Sequence, residues 1–333
     1  MTQISGRYGR HARLAVLTII DEEFEAVKND LGANYEVDTT GAWAPISQSV
    51  AIAQAEKNVK YVTYPFVVAQ ASERSNSPAN EQIRRLVERF RPEVFVVIGV
   101  AGGVQRAERI SNDEIRWTGP VPGDIVVANY VHYADYTASL PQGEFLRYYA
   151  LDHPSAVLIT DHARAIRHYP WHETVKLNPP TTSVTPSTTS VTPRVHIGEI
   201  VATESIKGNP SSDDQVRIVK LFDKALAIDM ESAGVGRSIH DLRCHYHYNP
   251  IWICIRAISD SVRAEDPDMD PEIRKLADPG LLENNKLERG QWKEYAAAVA
   301  AAYARSLIAR LLSSPRPPTP RDPGADRWSF PPD

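Results

Sequence analysis

The chain has 333 residues, of which 42% are hydrophobic and 24% charged, with a net charge of −5. That is an ordinary globular mix able to bury a substantial core, and its acidic balance gives no basis for binding nucleic acid or another polyanion. Two cysteines, Cys244 and Cys254, cannot build a disulfide framework, so a reducing cytoplasm is the expected setting.

The apolar run Leu14–Ile20 follows several arginines, as in a signal peptide. Asp21-Glu22-Glu23 comes directly after it and no small-residue cleavage site is present, so it predicts a strand covered on both faces. Asp21 is placed to cap a helix carrying Phe24, Val27 and Leu31 at helical spacing. Tyr61–Ala69 predicts a strand. Asn80–Phe90 predicts a helix with Ile83, Leu86, Val87 and Phe90 on one face, ended by Pro92. Val94–Val100 predicts a strand entering a turn at Gly102-Gly103. Asp124–Val131, after Val121-Pro122-Gly123, and Gly198–Thr203 predict two more. A helix from Met230 to about His240 then leads to a strand over Pro250–Ile258. This alternation argues for an α/β sandwich around a largely buried sheet.

No continuous apolar run approaches the ~18 residues needed to span a bilayer, and no membrane partner is expected. Tyr295, Val299, Tyr303, Leu307 and Leu311 recur at helical intervals within 292–312, which predicts a closing helix docked on the domain in preference to a membrane-surface helix. The hexapeptide Thr-Thr-Ser-Val-Thr-Pro occurs at 181–186 and again at 188–193. A mobile insertion over about 178–194 is expected, and a disordered Pro-rich tail over 313–333, leaving residues 1–312 as one catalytic domain.

Chemistry concentrates in Asp229-Met230-Glu231-Ser232-Ala233-Gly234 and, one strand later, Arg256-Ala257-Ile258-Ser259-Asp260. Asp260 ends an apolar strand, where ligands of open α/β sheets gather. Partial burial would favour its protonated form and let it donate a proton; its plain alternative is to cap the next turn. Glu231 has the two acceptors that suit a vicinal diol, or is simply a first-turn acid on a helix dipole. Met230 offers a soft apolar surface.

The two motifs resemble those of the nucleoside phosphorylase and nucleosidase superfamily, in particular its methylthioadenosine/S-adenosylhomocysteine nucleosidase branch. The resemblance implies a three-layer α/β/α sandwich around a twisted mixed sheet. It implies hydrolysis of the N-glycosidic bond of a purine nucleoside or nucleotide, with adenine as the expected base and no metal or organic cofactor. Asp260 would protonate the leaving purine at N7, Glu231 and Met230 would hold the ribose, and Glu23, in Leu17-Thr18-Ile19-Ile20-Asp21-Glu22-Glu23, would direct water. Val100, Ala101 and Gly102 would line the site beneath base and sugar, with Ser259 beside Asp260. Phosphorolytic members carry an arginine and a hydroxyl where this chain has Val97 and Val100, and the early phosphate loop is replaced by Ser72-Glu73-Arg74-Ser75-Asn76. Water is therefore the expected nucleophile. Phosphorolysis and a non-catalytic nucleoside sensor are the alternatives.

Ala202-Thr203-Glu204-Ser205-Ile206-Lys207-Gly208 is similar to the loop that sandwiches the base. Ile206 stands for an aromatic residue, Lys207 for an apolar one, and Glu204 for an aspartate that helps hold the base. Lys207 and Arg74 could answer a substrate phosphate. Gly123–Val127 with Tyr133-Ala134-Asp135 resembles a dimerisation segment, so a homodimer or higher homo-oligomer is expected. His240, Cys244, His245 and His247 fit no standard zinc spacing.

Overall fold

A computed structural model describes residues 9–33, 46–47, 61–109, 115–141, 143–180, 192–210, 212–246, 248–264 and 281–313. Residues 181–191, which hold most of the repeat at 181–193, and the tail beyond residue 313 lie outside the described residues. The strands are β1 (Gly9–Thr18), β2 (Ile46–Ser47), β3 (Tyr61–Gln70), β4 (Val94–Arg109), β5 (Ile115–Thr118), β6 (Ile125–Tyr133), β7 (Thr137–Leu140), β8 (Gly143–Leu146), β9 (Val195–Ala202), β10 (Ala225–Asp229) and β11 (Ile251–Arg263). The helices are α1 (Asp21–Leu31), α2 (Asn76–Phe90), α3 (Arg164–Ile166), α4 (Asp213–Leu221), α5 (Ser232–Tyr246) and α6 (Leu281–Ser313).

One mixed sheet runs in the order β10-β9-β6-β11-β4-β1-β3-β2, with β5 paired to the far end of β4 and β7-β8 apart as a hairpin. Its centre is parallel: β3, β1, β4 and β11 share one direction, and β6 runs against β11. At the other end β10 returns to pair with β4 at Gly102 and Gly103, so the sheet curls over itself there.

Side-chain alternation explains the layers. Leu14 and Val16 of β1, Val96 and Ile98 of β4, and Ile253 and Ile255 of β11 face α1 and α6. Their neighbours Ala15, Leu17, Phe95, Val97, Trp252 and Cys254 face α2 and α5. The protein is thus an α/β/α sandwich whose central strands are largely apolar because both faces are covered. Helix α6 is long and apolar enough, by length and composition, to cross a membrane. Its stripe Tyr295, Val299, Tyr303, Leu307 and Leu311 is instead buried on the sheet, where each large side chain contributes about 1.5–3 kcal/mol.

Three expectations are corrected. Gly102-Gly103 is not a turn: β4 continues through it to Arg109. The glycines are needed for close packing, since a Cβ at Gly102 would lie 2.4 Å from Val262 Cγ2 and one at Gly103 2.8 Å from the Pro120 carbonyl. Asp260 does not follow its strand but lies inside β11, which runs on to Arg263 because β4 remains alongside as its partner. An irregularity in that pairing between Ile258 and Asp260 interrupts the regular register there. Met230 and Glu231 precede α5, in the connection from β10.

Candidate active site

Each acid reaches the site from a different element: Glu23 from the first turn of α1, Glu231 just after β10, and Asp260 at the irregularity of β11. The sequence-selected residues Glu23, Val100, Ala101, Gly102, Ile206, Lys207, Met230, Glu231, Ser259 and Asp260 all line one cleft. Arg74, Asp229, Arg289 and Lys293 line it too.

Glu23 is buried and held by backbone donors. The amides of Ile19 and Ile20 donate to Oε2 at 2.8 and 3.1 Å, and the Val100 amide donates to Oε1 at 2.8 Å. Burial pushes its carboxyl above the usual range, opposed by Arg256 and by those three amides. A Cβ at Gly99 would lie 2.2 Å from Arg256 Nη1 and 2.8 Å from Glu23 Oε1, so the two side chains converge over a backbone that must be bare.

Arg256 is the residue that sequence reasoning quoted but gave no role. It is fully buried in β11, donates from Nε to Asp229 at 2.9 Å, and from Nη2 to Glu231 Oε2 at 3.2 Å. Its Nη1 is buried without a hydrogen-bond partner among the described residues. The available signal was its place inside an otherwise apolar strand, where a charge must be paired. Burial, with Asp229 and Glu23 nearby, pushes the Glu231 carboxyl up to about 7 against the pull of Arg256. The Ser75 amide donates to Glu231 Oε1 at 3.4 Å.

Asp260 is buried, as expected, but an unforeseen cation accompanies it. Arg289 of α6 donates from Nε to Oδ1 at 3.1 Å and from Nη2 to Oδ2 at 2.6 Å. Asn285 adds a donor to Oδ2 at 3.0 Å, and the Ser259 hydroxyl one to Oδ1 at 2.6 Å. No local sequence signal links Asp260 to residues 25 and 29 positions away.

The loop after β9 separates its two charged residues. Glu204 is drawn from the cleft by Tyr133 Oη at 2.7 Å, Asn76 Nδ2 at 2.9 Å and Ser75 Oγ at 2.5 Å, so it does not take the base-holding place expected of it. Lys207 is the one that enters, almost fully buried, bonded to Ser205 Oγ at 2.6 Å and paired with Asp214. Ile206 lines the cleft while half-exposed. No three His, Cys, Asp or Glu side chains gather for a metal among the described residues.

The phosphorylase superfamily profile matches residues 14–305. The chain belongs to that superfamily. The superfamily's fold is also that of solved structures from three bacteria. The Neisseria meningitidis 5'-methylthioadenosine/S-adenosylhomocysteine nucleosidase, in complex with methylthio-immucillin-A, is 17% identical, with a TM-score of 0.56 over 89% of this chain and 98% of that one. The Colwellia psychrerythraea nucleosidase of the same name, in complex with adenine, is 16% identical, with a TM-score of 0.56 over 91% and 97%. The Helicobacter pylori futalosine hydrolase is 16% identical, with a TM-score of 0.57 over 90% and 98%. No curated protein matches. At these identities the likeness to solved structures establishes the fold, and this superfamily member's chemistry rests on its own side chains.

Proposed function

We propose that the protein hydrolyses the N-glycosidic bond of a purine nucleoside or nucleotide. The observation that carries the reading is the convergence of Glu23, Glu231 and Asp260 on one cleft, with Arg256 buried between the first two. Glu231 takes the ribose diol, and Met230 supports the sugar. Glu23 accepts a proton from water as the water oxygen bonds to C1′. The C1′–N9 bond breaks with its electron pair passing to the purine, and Asp260, whose contacts with Arg289, Asn285 and Ser259 are those of a carboxylate, first takes up a proton and then delivers it at N7. The free N–H group of Arg256 beside Glu23 is a donor suited to that water. Preplaced carboxylates stabilise the cationic sugar electrostatically.

Hydrolysis is favoured over phosphorolysis because Val97 is buried in the core and Val100 supplies only its amide, already given to Glu23. Nothing at either position clamps a phosphate. The half-exposed Tyr136, Leu140, Phe145 and Leu146 around the β7-β8 hairpin support a homo-oligomer, and two free cysteines support a cytoplasmic setting.

The test is chromatographic detection of free base from methylthioadenosine, S-adenosylhomocysteine, adenosine, inosine, AMP and ATP, each with and without phosphate. Phosphate-independent release is expected. Release only with phosphate would remove Glu23 from the mechanism, and no release from any of them would leave the sensor reading.

A further inference from the structure

The base end of the cleft contains cationic hydrogen-bond donors without a free carboxylate to match them. Lys207 is 6% exposed, and its ammonium carries three protons. Ser205 Oγ and the Asp214 carboxylate take two of them. The third is uncommitted among the described residues, on a side chain that lines the cleft. Arg289 spends Nε and Nη2 on Asp260 and Asn285, leaving Nη1 as a second donor. Arg289 packs against the same loop: a Cβ at Gly208, the residue after Lys207, would lie 3.8 Å from Arg289 Nη2 and 2.9 Å from Asn285 Oδ1.

The carboxylate acceptors are already engaged. Both Asp260 oxygens accept from Arg289 and from Ser259 or Asn285, and Asn285 Oδ1 accepts from Arg289 at 3.1 Å. Glu204, the acid of this loop, is held outside the cleft by Tyr133, Asn76 and Ser75. An exocyclic amino group on the base would therefore meet two cationic donors and find both oxygens of the Asp260 carboxylate already engaged.

We propose that this site reads a purine with an oxygen at C6, and that Lys207 is the residue that selects it. The inference rests on the N-ribosyl hydrolase reading of the same cleft, and it replaces adenine as the expected base. A 6-oxopurine presents two acceptors, N7 and O6, along the edge on which adenine presents one acceptor and one donor. The difference also acts during bond cleavage. The electron pair released from C1′–N9 spreads onto N7 and O6, and a buried ammonium at O6 stabilises that charge. A site whose buried polar groups are left unpaired by the wrong substrate discriminates far more strongly than an apolar pocket.

The experiment compares hypoxanthine with adenine by calorimetric binding to the full chain, and inosine with adenosine by base release. Hypoxanthine and inosine are expected to be favoured at least tenfold. Lys207→Met should bring each pair to within about threefold. Lys207→Gln, which can turn either an amide oxygen or an amide nitrogen to the base, should do the same and serves if the methionine variant folds poorly. Adenine binding as tightly as hypoxanthine, neither base binding, or a preference untouched by both variants would overturn the proposal. Tighter hypoxanthine binding with no turnover of any nucleoside would refute hydrolysis and keep the base assignment. Turnover favouring adenosine would do the reverse.

Discussion

Arg289 grips Asp260 at two points, Nε on Oδ1 at 3.1 Å and Nη2 on Oδ2 at 2.6 Å, and so ties the last helix to the carboxylate at the β11 irregularity. A bidentate fork fixes the plane of the carboxylate as well as its position.

That fork predicts a strong coupling. Asp260→Asn should lower kcat/KM for base release by about 10²–10⁴, the range for a positioned acid. Arg289→Met should lower it about 10–100-fold, because the carboxylate loses its orientation. The double variant should be little worse than Asp260→Asn alone, since the residues act as a unit. Multiplicative losses in steady-state kinetics would show that Arg289 acts independently.

Gly99→Ala should inactivate the protein while leaving every side chain of the three acids in place. The added methyl would lie 2.2 Å from Arg256 Nη1 and 2.8 Å from Glu23 Oε1, and both side chains are buried too tightly to yield. Base release should fall at least a hundredfold and the melting temperature should drop. A variant with half the wild-type rate would mean that the Glu23–Arg256 convergence is not needed.

Arg256→Met should be among the most destabilising single changes. It leaves Asp229 and Glu231 buried with no opposing charge, and removal of one partner from such a network costs about 3–5 kcal/mol. Urea unfolding followed by circular dichroism gives the number, and a loss below about 1 kcal/mol would show that water already reaches the pair.

The raised carboxyl of Glu231 gives a pH signature. Its pKa rises from 4.5 when exposed to about 7 when folded, so between those values the folded state holds a proton that the unfolded chain has released. Its contribution to stability is therefore complete below pH 4.5 and is lost as pH rises towards 7. Melting temperatures from pH 5 to 8 should fall more steeply for wild type than for Glu231→Gln, which cannot titrate. If the ionised form grips the ribose diol, KM should improve over the same interval. Parallel melting curves for the two proteins would place the titration elsewhere.

Much of the site was legible because its parts are short and chemically distinctive. Glu23 and Asp260 are marked by the apolar runs of β1 and β11, whereas β10, which delivers Glu231, carried no such mark, and the sheet brings all three to one cleft. Glycine at 102 and 103 was legible as a need for bare backbone, although packing against Val262, Ile258 and Pro120 imposes that need and not a turn. The extension of β4 and β11 was not legible. Polar residues such as Gln105 and Ser261 end the apolar signal, yet both strands continue because each supplies the other's hydrogen bonds.

The sequence by itself determined the alternation of the main strands and helices and the two-sided burial of the sheet, and it singled out the candidate acids, because periodicity and residue type are local properties. Only the tertiary structure decided what each acid meets. Glu231 meets Arg256, Asp260 meets Arg289 and Asn285, Glu204 turns away to Tyr133, and Lys207 enters in its place. Those partners lie far apart along the chain, and a charge-assisted hydrogen bond depends on distance and direction in space, which no spacing in the sequence encodes.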